Sequence, residues 1–307
     1  MNIDQDLLYR FEKGLNPQNL RDSAIGAEIV GYGEISAIFK IRGIDGIVLK
    51  RMPLFSDLSS AECYTGQYYE YCSFLEDAGL KLPAHDTCII QVPGRPVILY
   101  IAQQLLKVER FCHRLVHQLK AETSRQLIEG VVAEIAKVWA FNQTKQPYLE
   151  LAIDGQLSNW VCPEENGRRR LYYVDTSTPL YRKNGMEQLN PELILQSAPA
   201  FLRWFIRLIF LDDVMERYYQ HRLVFTDLAA NLFKEQKQDL IPPTVAIINR
   251  YLQNDTKPLT LDEVKRYYRE DKLIWIIFLL FRRIDRWLTT RIFRKRYEFI
   301  LPGKIKR

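Results

Sequence analysis

The hydrophobic period changes once along this chain, near residue 104, and that change restricts the fold more than any single residue does. Before it, apolar residues fall mostly at strand spacing. Ala27–Gly33 and Ile35–Arg42 are β-rich runs around a glycine-containing turn, and Gly43–Gly46 is a hairpin signal leading into the strand Ile47–Lys50. Ser59–Ala78 interrupts them as a helix, with Ser59 or Ser60 to cap it and Gly79 to stop it. Thr87–Val92 and Pro96–Ile101 follow as strands around Pro93–Gly94. After residue 104 the period is helical. Ser124–Gln143 carries a stripe of Ile128, Val131, Val132, Ile135 and Trp139, and nearly everything from Pro191 onward is helical, broken at Pro242–Pro243. Between these lies an irregular stretch from Pro147 to Trp160. Short strands near Trp160–Cys162 and Leu171–Val174 then flank a polar turn. The expected fold is α+β, with a small β-rich lobe holding one helix (1–104) and a larger, mainly helical lobe (105–307).

With 307 residues, 47% hydrophobic, both lobes can bury a core and general disorder is excluded. The net charge of +6 is uneven. From Asp271 onward eleven Lys/Arg face three Asp/Glu, a local +8 that leaves the rest of the chain at −2. Basicity confined to one segment does not suit a nucleic-acid surface. Five cysteines without a C-x-x-C pair suggest neither a zinc site nor a disulfide framework. The N-terminus is acidic, and the longest apolar run, Leu273–Phe281, has nine residues against the roughly 20 of a membrane span. The expectation is a cytoplasmic protein with reduced thiols.

Four positions carry chemistry. The run Gly31-Tyr32-Gly33 between two strands lets backbone approach a phosphate, or is an ordinary hairpin turn. No helix follows it and no P-loop signature exists in the chain. Lys50 ends an apolar strand, where it either reaches solvent or pairs with phosphate oxygens. In the second case a carboxylate of the next helix would brace it, Glu70 in preference to Glu62. Asp154 and Asn159 stand five residues apart in the irregular stretch, suited to orienting a hydroxyl and binding a divalent cation, or to a plain Asx-turn. Asp175 closes the strand Leu171–Val174, as a metal ligand or as a cap.

The order of these features resembles that of the protein-kinase-like phosphotransferases: glycine turn, strand lysine, helical glutamate, two strands, long helix, D-x-x-x-x-N, then a strand ending in aspartate. The specific resemblance covers about residues 25 to 180. It is nearer to the aminoglycoside phosphotransferase and choline kinase branch than to protein kinases, because no HRD, DFG glycine or APE is present. The resemblance implies a bilobal fold that uses ATP and Mg2+ to phosphorylate a hydroxyl of a small molecule. Gly31 and Gly33 would cover the phosphates, and Lys50 would hold them, braced by Glu70. The backbone at Ala102, Gln103 and Gln104 would meet the adenine. Asp154 would act as base, with Asn159 and Asp175 holding Mg2+. Ala152 stands where these enzymes carry histidine, which keeps open a pseudokinase or scaffold with the same fold.

Four other groups compete for attention. Thr226–Asn231 also offers an aspartate and an asparagine, but no strand ending in aspartate follows, so Asp227 is expected to be a cap or loop anchor. His113 and His117 are expected on a solvated helix face. Asp212, Asp213 and Glu216 are the carboxylates available to an acceptor pocket. Residues 273–296 form a basic amphipathic helix with an apolar stripe of Ile277, Phe281, Ile284, Leu288 and Ile292. Such a helix suits peripheral contact with an anionic membrane, or packs on the helical lobe. The partners expected are therefore a nucleotide, a small-molecule acceptor and a membrane surface, with no nucleic acid.

Overall fold

Alternation along the central strands sorts the first lobe into two faces. The computed structural model describes residues 1, 3–33, 36–165, 168–190, 193, 211–252 and 257–302, with the backbone alone at 165, 168–169 and 211–214. Five strands, β1 (Ala27–Tyr32), β2 (Ala37–Ile41), β3 (Ile47–Phe55), β4 (His85–Ile90) and β5 (Val97–Gln104), form an antiparallel sheet in the order β1-β2-β3-β5-β4. On β5, Ile98, Tyr100 and Ala102 face one core while Leu99 and Ile101 face the other. The first face is covered by α1 (Gln5–Gly14), through Leu8, Phe11 and Leu15. Asp4 caps this helix, accepting from the Leu7 N–H at 2.8 Å. The other face packs on α2 (Leu58–Asp77), through Tyr64, Tyr68, Tyr71, Cys72 and Leu75. Asp57 caps α2 in place of the serines expected, accepting from the Ser60 N–H at 2.8 Å, and Gly79 ends it at φ +87°.

The second lobe opens with α3 (Cys112–Gln118) and α4 (Ala121–Lys145), followed by β6 (Leu149–Leu151). β7 (Trp160–Val161) and β10 (Tyr172–Tyr173) pair antiparallel and enclose the small β8–β9 hairpin (Glu164–Glu165, Arg168–Arg169). β11 (Tyr181–Lys183) pairs with both β6 and β12 (Met186–Glu187), an addition the sequence pattern did not suggest. Four further described helices follow: α5 (Leu211–Tyr219), α6 (His221–Lys234), α7 (Ile241–Tyr251) and α8 (Leu261–Trp287). The Pro242–Pro243 break is the start of α7, where prolines cost no hydrogen bond. The helical expectation across 194–210 lies outside the described residues. The architecture is α+β, a β-sheet lobe followed by a mainly helical one, as the protein-kinase-like bilobal plan requires.

After α8 the chain returns to the first lobe and locks onto it. Arg51, on the α1 side of β3, donates to Glu12 through Nε and Nη2, both at 2.8 Å, and to Glu298 Oε2 at 2.9 Å. Glu12 also accepts from Tyr100 Oη at 2.5 Å and pairs with Arg95 at 3.2 Å. Burial alone would push Glu12 up. The bonds and charge of Arg51, with Tyr100 and Arg95, outweigh that and hold its carboxyl below the usual range. Arg282, within the basic helix, is buried against Phe278 and Phe299. The apolar stripe is correspondingly turned. Ile277, Ile284 and Ile292 are exposed, but Phe281 and Leu288 are half-buried, and Leu273, Ile276, Leu280 and Trp287 complete the outward line.

Candidate active site

Because side chains alternate along β3, Arg51 faces α1 and Lys50 must face the second lobe. Lys50 is 5% exposed. Its ammonium donates to the Val174 carbonyl at 3.0 Å, Asp175 Oδ1 at 3.3 Å and Ser177 Oγ at 3.5 Å. The 174–177 segment is held from the first lobe by further bonds. Gln103 Nε2 donates to the Val174 carbonyl at 3.1 Å and to Thr176 Oγ1 at 3.0 Å. Tyr64 Oη donates to the Ser177 carbonyl at 2.6 Å, and Thr176 Oγ1 lies 3.4 Å from Tyr68 Oη.

The loop from Ala152 to Asn159 runs alongside. Asp154 Oδ1 accepts from the Gln156 N–H at 3.1 Å, so the Asx-turn does form. Asn159 Nδ2 donates to the Asp154 carbonyl at 3.2 Å, which leaves its amide oxygen as the acceptor. The Val174 N–H donates to the Asn159 carbonyl at 2.9 Å, and this bond fixes the loop against the strand that ends in Asp175. Gly155 is required here. A Cβ would come within 2.7 Å of Val224 Cγ1 on α6 and 2.9 Å of Ile135 Cδ1 on α4.

With alanine at 152, other groups place the loop. Tyr71 Oη donates to the Ala152 carbonyl at 2.7 Å, and Tyr173 Oη accepts from the Asp154 N–H at 3.2 Å. Asn142, buried on α4, donates to the Leu151 carbonyl at 2.8 Å and accepts from the Leu151 N–H at 2.9 Å.

Four expectations need correction. Glu70 does not brace Lys50: its carboxylate accepts from Tyr181 Oη at 2.6 Å and pairs with Lys183 of β11. Tyr64, Tyr68 and Tyr71 take the site-facing side of α2, spaced one turn apart, and Glu70 lies about 200° around the helix from Tyr68. Glu62, the alternative, is exposed. The backbone of Gln103 is paired with Val48 and His85, and the Gln104 N–H donates to the Ala84 carbonyl at 2.8 Å. The Gln103 side chain turns to the 174–177 segment, and Gln104 is exposed. At the glycine turn, Gly31 pairs with Ile38 within the sheet. The Gly33 N–H donates to the Ser36 carbonyl at 3.0 Å, so it is spent in the hairpin; the intervening 34–35 lie outside the described residues. Finally, Asp227 sits in the middle of α6, not at its cap.

Asp227 belongs to the same cluster. Burial, followed by the negative charges of Asp227 and Asp175, pushes the Asp154 carboxyl well above the ordinary range. Asp227 is pushed up as well, by burial and then by Asp271 of α8, against hydrogen bonds from Gln156 and Tyr267. A charged residue amid Val224, Phe225, Leu228 and Ala229 was the sequence signal for this placement. Glu216 is engaged with Arg182 at 2.7 Å, and the side chains of Asp212 and Asp213 lie outside the described residues. His117 is exposed, but His113 is half-buried, and burial lowers it to about 4. None of the five cysteines forms a disulfide, and four of them are buried.

Among the described residues no three His, Cys, Asp or Glu converge as a metal cage. The donors present are the Asp175 carboxylate and the Asn159 amide oxygen. Such a pair fits Mg2+, which uses one or two protein oxygens with water and substrate phosphates completing its octahedron.

The sequence matches a family of unknown function, DUF6206, over residues 20–286. The chain belongs to that family. No curated protein matches the sequence. Among solved structures, "WaaP in complex with acyl carrier protein" is similar at 15% identity and a TM-score of 0.31, covering 70% of this chain and 88% of that one.

Proposed function

We propose that this protein is an ATP- and Mg2+-dependent phosphotransferase that phosphorylates a hydroxyl group of a small molecule. One observation carries the reading. A buried lysine from the sheet meets Asp175, 3.3 Å away, and the Asp154–Asn159 loop is tied beside it by a 2.9 Å backbone bond. Such an arrangement supports a reading with a phosphate-binding cation, two metal-binding oxygens and a base close together. In this reading the lobes divide after Gln104, and the Gly31–Gly33 turn lies over the phosphates through its shape rather than through the Gly33 N–H.

The residues divide the work. Lys50 holds phosphate oxygens and neutralises charge that builds up during transfer. Asn159 and Asp175 would hold Mg2+, which would supply neutralisation of phosphate charge. Asp154 orients the acceptor hydroxyl and takes its proton, and its raised pKa brings it nearer to that task. Burial, with the charges of Asp227 and Asp175, sustains that raised pKa, and Asp227 would line the acceptor side. Gln103 and Tyr64 fix the segment on which Asp175 rides.

A pseudokinase scaffold is the second reading, favoured by Ala152. Turnover of γ-labelled ATP against a panel of amino and amphiphilic alcohols separates the two. Transfer in the wild type that falls more than a hundredfold in Lys50→Met supports the enzyme. Nucleotide binding without transfer to any acceptor favours the scaffold, and absence of nucleotide binding overturns the enzyme reading and leaves the scaffold.

A further inference from the structure

The last helix leaves one face uncovered. Leu273, Ile276, Ile277, Leu280, Ile284 and Trp287 stand 37 to 58% exposed along α8. At about 100° per residue they fall within an arc about 100° wide, a width proper to a buried helix face. Ile292 and Phe293, 54% and 63% exposed, extend the surface beyond the helix end. The opposite side is anchored: Arg282 is buried against Phe299, and the segment after the helix is fixed by Arg51 and Glu298. The apolar face is thus held outward by the same contacts that fix the tail.

Charge selects the occupant. From Lys272 to Arg296 there are eight Lys/Arg and one acid, Asp285. Arg283, Arg291, Arg294 and Lys295 are exposed beside the apolar arc. Two copies of this chain meeting through that face would bring like charges together, whereas an anionic lipid surface offers both an apolar interior and opposite charge. Leu273 to Trp287 spans about 21 Å along the axis. Among the described residues no helix is long and apolar enough to cross a membrane, so the fitting geometry is a helix lying in the interface.

We infer that residues 273–293 dock the protein on an anionic bilayer surface, with Leu273, Ile276, Ile277, Leu280, Ile284 and Trp287 entering the interface. The inference stands whether or not the phosphotransfer reading does.

Co-sedimentation of the full chain with sucrose-loaded vesicles tests it. Binding to 70:30 phosphatidylcholine:phosphatidylserine should exceed binding to phosphatidylcholine alone at least tenfold in 0.1 M salt, and should weaken as salt rises. Ile277→Glu/Ile284→Glu should cut binding at least tenfold with an unchanged melting curve, because both side chains are exposed. Leu280→Gln/Trp287→Gln, a milder pair, should cut it in the same direction. Arg291→Glu/Lys295→Glu should remove the preference for anionic vesicles. Wild type that stays in the supernatant with anionic vesicles overturns the inference. So does vesicle binding insensitive to all three variants. A wild-type dimer that Ile277→Glu/Ile284→Glu converts to monomer, without vesicle binding, assigns the face to a second copy instead.

Discussion

Replacing Asp154 with asparagine should stabilise the fold and abolish phosphotransfer. Asp154 shares its surroundings with Asp175 and Asp227, and the buried Lys50 is bonded to Asp175. Burial and like charge therefore raise its pKa above the unfolded value of 3.8. For a carboxyl raised in this way, the unfolded chain ionises first. Stability is fully present below the unfolded pKa, falls as pH rises, and levels off above the folded pKa. A tenfold difference in proton affinity between folded and unfolded chain corresponds to about 1.4 kcal/mol, so asparagine, which cannot ionise, should return stability that grows as pH rises above 3.8 and reaches a few kcal/mol near pH 8. Asparagine retains the oxygen that accepts from the Gln156 N–H, so the turn survives. At about 2–3 °C per kcal/mol for a chain of this size, Tm should rise by roughly 5–8 °C. Scanning fluorimetry between pH 4 and 9, without nucleotide or Mg2+, checks this. The gap between variant and wild type should be small near pH 4 and open with rising pH. A variant that melts at or below wild type at pH 8, or a gap that does not change with pH, refutes the electrostatic account.

Two further outcomes follow from the contacts. Glu70→Gln removes a partly exposed pair with Lys183, so it should cost at most about 1 kcal/mol and leave ATP affinity unchanged within twofold; a tenfold loss measured by titration calorimetry would restore Glu70 as the lysine brace. Glu298→Gln leaves Arg51 with Glu12 as its one carboxylate partner, and should cost about 2 kcal/mol by urea unfolding, less than the roughly 3–5 kcal/mol of Glu12→Gln, whose carboxylate is fully buried.

Much of the candidate site was legible because it depends on order and spacing. Lys50 lies on a strand whose alternation sends it opposite to Arg51, and Asp154, Asn159 and Asp175 lie on short connections whose lengths the sequence displays. What was hidden depends on helix rotation and on contacts distant in sequence. Glu70 is only two residues from Tyr68, yet the helix carries it to the β11 side. Asp227 looked like a cap because aspartate favours caps, but the apolar residues around it mark the buried middle of a helix. The bond between Glu298 and Arg51 joins residues 247 positions apart, and nothing local signals it. The first helix was legible and overlooked: Asp4 caps it, and Leu8, Phe11 and Leu15 share one face.

The central claim is that Lys50, Asp154, Asn159 and Asp175 form a Mg2+–nucleotide site. The most direct test is a thermal melt of wild type and Asp175→Ala with ATP, with and without Mg2+. At a hundredfold excess over Kd, binding stabilises the wild type by about 2.7 kcal/mol, a rise of roughly 5–8 °C. The account predicts that this rise requires Mg2+ and disappears in Asp175→Ala. A wild type that melts at the same temperature with and without MgATP contradicts it.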